Sequence, residues 1–368
     1  MDYEDEKEQE PQLTSRCGYE VRDVVRAFLQ SLNEAGVVAS GKLLHYTADM
    51  ISSGGLLLFE RLCYDYAFDH IGIASPRIFF YLATTFKELR ALAAKHELGV
   101  FCTLPNVQQS TTEIALILQG CPKKTKPKYP TIPPETHDNE DWLRSVLRTT
   151  DKAAVRKVYQ RATDMEPMLH AANEMVFSIV EGGTENALFW AKWLHEEDHH
   201  VRKKYRSGLS TAERGPVALK SQQQKTAMGY YLVNVLAELY KEFSQKGMVR
   251  LHQEFQALLD LFRATDGRST QRRKQDIIAL LIQVLIDMPR MKVPAAPALV
   301  HDSATLQRMI QQAPTFYREV QYHPMPAKLL PSSVTGVKKK KAKEPTKEDK
   351  LQQQLAMMDQ MAMSFYRM

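Results

Sequence analysis

Apolar residues in this chain recur three and four positions apart, and no stretch of more than a few residues alternates with period two. Val21, Val24, Val25, Phe28, Leu29 and Leu32 form one such stripe. A helix of 3.6 residues per turn gathers those positions on one face, whereas a strand would divide them between two. The pattern predicts an all-α fold. After the first stripe, helices are expected over 41–52, 55–70, 76–96, 107–119, 139–149, 151–164, 166–181, 184–206, 217–245, 247–265, 270–288 and 303–312. No fixed-period repeat runs through them, which points to irregularly stacked helical hairpins and not to a named solenoid. Glycine and proline together number only 34 of 368 residues, below average usage, in keeping with long helices.

Proline and charge divide the chain. Residues 1–17 form an acidic tail expected to be disordered, and residues 18–120 a first helical part. Residues 121–138 hold five prolines and four lysines, so they read as a linker or an ordered surface excursion. A second helical part covers 139–312, followed by a Pro/Lys-rich tether over 313–346. Residues 347–368 end the chain as an amphipathic helix with Leu351, Leu355, Met358, Ala362 and Phe365 on one face.

The compartment is read from cysteines and apolar runs. Cys17, Cys63, Cys102 and Cys121 lie tens of residues apart with no Cys-x-x-Cys pair, which excludes zinc-ribbon spacing and a dense disulfide framework. The opening MDYEDEKEQE is acidic, the opposite of a signal or transit peptide. The longest apolar stretch, 277–286, contains Gln283 and falls short of the ~20 residues a membrane span needs. An intracellular protein is expected, in cytoplasm or nucleus, with no membrane partner.

The formal charge of +6 is polarised: the first ten residues carry −5 and the remainder +11. Lysine and arginine cluster at 123–128, 202–206, 271–274 and 338–343. Arg202, Lys203, Lys204, Arg206, Arg272, Arg273 and Lys274 are therefore candidates for contact with DNA or RNA phosphates. The last three sit in the first turn of a helix, where the macrodipole disfavours cations, which hints at an anion nearby. Solvated helix faces, or neighbouring carboxylates, would account for the same clusters.

Two enzyme motifs are matched in letters only. His195-Glu196-Glu197-Asp198-His199 has the zinc-protease spacing. With Leu194 at the centre of the buried face, however, His195 and His199 fall on the flank toward water and Glu196 opposite the core. The acidic pair Glu196/Glu197 is accordingly expected on solvent. Gly36 through Lys42 approaches a phosphate-binding loop, but Leu43 replaces the magnesium-binding hydroxyl and a helix, not a strand, precedes it. No nucleophile elbow, dinucleotide fingerprint or kinase signature occurs. The sequence calls for no enzyme activity, metal or cofactor, and Phe189, Trp190 and Trp193 read as helix-packing residues.

Gln360, Met363, Phe365 and Tyr366 resemble the peptide by which replication and repair proteins bind sliding clamps. Tyr366 is in register, but Arg367 occupies the second aromatic position. The stretches 185–198 (ENALFWAKWLHEED) and 107–132 (VQQSTTEIALILQGCPKKTKPKYPTI) resemble uncharacterised helical proteins of nucleocytoplasmic large DNA viruses. That resemblance covers about a tenth of the chain and implies work inside an infected cell, with no chemistry attached. The function expected from these readings is a non-enzymatic adaptor or scaffold. It would act through helical surfaces and a C-terminal docking helix, with Leu351, Leu355, Met358, Met363, Phe365 and Tyr366 meeting a protein partner. The alternative is a nucleic-acid-associated accessory factor of replication or transcription that uses the basic clusters and binds a sliding clamp through its C-terminus.

Overall fold

The computed structural model describes residues 13–219, 221–248, 251–264, 271–287, 303–326 and 328–330, with 289 and 299 as single positions. Residues 1–12 and 331–368 lie outside it, and with them most of the acidic tail, the lysine run and every expected partner-docking residue. Among the described residues the fold is all-α; extended structure is confined to two isolated bridges, Thr14 with Glu20 and Asp164 with Ser210.

The first helices are α1 (Val21–Asn33), α2 (Val37–Ser52) and α3 (Leu56–Tyr66), then α4 (Arg77–Ala93), a short α5 (Leu98–Phe101) and α6 (Pro105–Gly120). The stripe of α1 buries Val21, Val24, Phe28 and Leu32. One side chain joins three helices: the Gln119 amide donates to Ser31 O at 2.9 Å and Glu34 O at 3.1 Å and accepts from Ser40 Oγ at 2.7 Å. The phosphate-loop look-alike is a helix: Gly36 caps α2 at φ +104°, and Gly41 and Lys42 lie within the helix.

The remainder comprises α7 (Glu140–Val146), α8 (Ala153–Val158), α9 (Glu166–Glu181), α10 (Thr184–Tyr205), a short α11 (Gln222–Lys225), α12 (Met228–Gln245), α13 (His252–Ala264), α14 (Gln271–Asp287), α15 (Ser303–Gln311) and α16 (Ala313–Gln321). Helices α9 and α10 form a hairpin turned by Gly182, whose left-handed φ of +83° suits a residue without Cβ. Helix α14 carries the apolar run and is buried from Ile277 to Ile282 without a break, so it takes a central position against α9, α10, α12 and α13. A single hydrophobic core runs through both expected parts, from Val21 to Leu330.

Some segments depart from the expected bounds, and residues 121–138 take one of the two forms expected of them. Helix α8 stops at Val158 because the buried Asp164 carboxylate accepts from Gln160 N at 2.7 Å and pairs with Arg214 at 2.5 Å, folding 159–164 into a turn. Residues 121–138 take the form of an ordered strap: Lys126 reaches Asp69 and Asp276, Tyr129 Oη donates to Gln275 O, and Lys192 Nζ donates to Pro130 O. The expected tether beginning at 313 instead starts as α16. Tyr317 is fully buried there, with its hydroxyl 2.7 Å from that of Thr111, because the Tyr317/Val320 pair fills a groove on α2 and α6.

Candidate functional site

Two expected basic clusters converge on a groove between α10, α12 and α14, about 430 Å³ in volume. Arg202 enters from α10 and Lys274 from α14; Met228, Gly229 and Phe262 supply apolar lining and Ser221, Gln223 and Gln224 polar lining. Gly229 permits the close approach: a Cβ there would lie 3.1 Å from the Phe262 ring.

Helix α10 is buried more widely than its apolar residues indicate, which corrects the expected placement of its acidic run. Trp190, Trp193 and Leu194 face the core, and Glu197 and Asp198 are buried as well. The strap and the loop after α10 cover a second side of the helix. Glu197 Oε2 lies 2.7 Å from His137 Nδ1, and its Oε1 accepts from Asp138 N at 3.2 Å. The His137 ring lies near-parallel to those of Trp193 and His200. Asp198 accepts from Arg202 Nε at 2.7 Å and from Leu209 N at 2.9 Å. Gly208 lies against this pair so closely that a Cβ there would overlap the guanidinium. His195 is also drawn inward, with Nε2 buried beyond reach of a partner, and burial lowers its pKa to about 4 against the opposing pull of Asp198. His199 alone of the two expected imidazoles is exposed.

The candidate cations separate into groups. Arg202 also donates to Thr226 O at 3.0 Å, so two of its nitrogens are engaged. Lys204 pairs with Asp138 of the strap. Lys203 and Arg206 are exposed, with no ion pair among the described residues. Arg272 and Arg273 line a different recess, reaching Asp69 at 3.4 Å and Asp65 at 2.7 Å. Asp65, Asp69 and Asp276 are thus the anions that the cation-rich first turn of α14 calls for. Lys274 donates to Tyr230 Oη at 3.2 Å and lies over the Tyr230 and Phe262 rings.

The groove offers amide, hydroxyl and cationic donors. Among the described residues no cluster of three His, Cys, Asp or Glu side chains is placed to hold a metal. The cysteines are free thiols; burial, with the nearby Asp49 carboxylate, pushes Cys17 up to about 12, and burial takes Cys102 to about 11, far from a reactive thiolate. Sequence reasoning missed His137, Glu197 and the Asp164–Arg214 pair; the sole local signal was a histidine closing a proline-rich strap. No described helix is long and apolar enough to cross a membrane. Comparison with protein families, curated proteins and solved structures finds no match for this chain.

Proposed function

We propose that the chain is a non-enzymatic interaction protein, an adaptor or scaffold whose helical body presents a C-terminal docking segment to a protein partner. The observation that carries this reading is the internal pairing of the basic clusters. Arg202, Lys204, Arg272 and Arg273, four of the seven nucleic-acid candidates, are held by Asp198, Asp138, Asp69 and Asp65 of the same chain. A phosphate backbone would have to compete with those carboxylates for each of these cations. The resemblance to viral helical proteins adds a proposed setting, the cytoplasm or nucleus of an infected cell.

Titration of labelled single- and double-stranded DNA and RNA tests the reading by anisotropy, with the full chain and a chain ending at Val337, at several salt concentrations. The adaptor reading expects no tight binding by the shorter chain. Tight, steeply salt-dependent binding that persists without the tail would overturn it. The alternative, a nucleic-acid accessory factor, draws support from the exposed Lys203 and Arg206. It expects Lys203→Ala and Arg206→Ala each to reduce the salt slope by about one.

A further inference from the structure

The groove between α10, α12 and α14 combines cations with apolar surface. Arg202 and Lys274 bring two positive charges to its lining and Asp198 the single carboxylate, a balance of +1 among the described lining residues. Asp198 is already answered, since it accepts from Arg202 Nε at 2.7 Å and from Leu209 N at 2.9 Å. Further donors are the side-chain amides of Gln223, Gln224 and Gln271. Ala227, Met228 and Phe262 supply the apolar part. His195 belongs to the same lining, and its Nε2 is buried without a partner among the described residues. A buried polar atom in that state calls for a water or a ligand atom. Gly229 keeps side-chain bulk away from the imidazole: a Cβ there would lie 3.6 Å from His195 Cε1.

We infer that this groove binds a small monocarboxylate with an apolar body, of the medium-chain fatty acid kind. Its volume of about 430 Å³ falls within the ~300–1,000 Å³ of small-molecule sites, which join an apolar lining to a few placed polar groups. One carboxylate cancels the lining charge of +1, whereas a dianion would leave a negative charge in the company of Asp198. Arg202 holds Asp198 through Nε and Thr226 through Nη2, and its Nη1 has no hydrogen bond among the described residues. It can therefore donate to a ligand oxygen without giving up Asp198. Lys274 adds its charge from over the Tyr230 and Phe262 rings. The inference goes beyond the adaptor reading and does not depend on it.

The test titrates the full chain, labelled with ¹³C at the methionine methyls, with octanoate, 1-octanol and inorganic phosphate. Octanoate is expected to shift the Met228 methyl signal saturably and to leave that of Met50, in the core beside α6, in place. Octanol, which lacks the charge, and phosphate, which lacks the apolar body, should each bind about tenfold more weakly or worse. Lys274→Gln should weaken octanoate about tenfold and leave octanol unchanged. Should that variant lose helix content, the comparison of the three ligands on the parent chain decides by itself. A Met228 signal that stays put up to about 10 mM octanoate would overturn the inference, at a Kd too weak to count as a site. So would octanol or phosphate binding as tightly as octanoate, or a folded Lys274→Gln chain binding octanoate undiminished. The adaptor reading fails separately, on the nucleic-acid titration.

Discussion

Helices α10 and α14 cross the same core but are held there by different forces. Helix α14 buries Ile277, Ile278, Leu281, Ile282 and Leu285, and its stability rests on apolar surface removed from water and on close packing. Helix α10 buries Trp193 and Leu194 on one side and Glu197 and Asp198 on another, so part of its placement depends on partners that neutralise buried charge. In the basic first turn of α14, Arg272 is 75% exposed and its ion pair correspondingly weak, whereas the Asp198–Arg202 pair, with Asp198 at 9% and Arg202 at 17%, is largely enclosed. Losing an apolar contact from α14 leaves a cavity, whereas losing one partner of the α10 pair leaves a buried charge unanswered.

Four measurements sharpen or break that contrast. The largest effect is expected for Arg202→Ala, which strands the Asp198 carboxylate and should cost about 3–5 kcal/mol in urea unfolding. A cost below about 1 kcal/mol would mean that the α10 pair is not enclosed. Leu281→Ala, in the middle of α14, should cost about 2–4 kcal/mol through transfer and cavity terms. Third is pH. His195 titrates at about 4 in the folded chain against an ordinary 6.5, so between those values the unfolded chain binds a proton that the folded chain does not. Stability should therefore fall as pH drops from about 6.5 to about 4, by up to about 1.4 kcal/mol per pH unit, and His195→Gln should remove that component. Smallest is Arg272→Ala, whose exposed pairs with Asp69 and Asp276 should be worth at most about 0.5 kcal/mol and should vanish in high salt.

The same contrast explains what could be read in advance. Helix α14, the stripe of α1 and the extents of α9 and α10 were legible because apolar spacing is a property of neighbouring residues. The acidic run of α10 was misplaced because its apolar residues defined one buried face, while the second face is created by a strap and a loop distant in sequence. Of the candidate cations, Arg202 and Lys274 do share a groove; Arg272 and Arg273 do not join them, because successive residues of α14 point to different sides. Helix α16 escaped notice among prolines since its anchors, Tyr317 and Val320, matter only where α2 and α6 offer a groove.

Local pattern was enough to set the helical class and most of the helix positions, since 3.6-residue periodicity is written in neighbouring residues. Which charges go inside, and what answers them, was settled by packing over long range. His137 meets Glu197 across 60 residues and Arg273 meets Asp65 across 208. A buried charge is tolerable solely where such a partner arrives, and the tertiary arrangement sets that arrival.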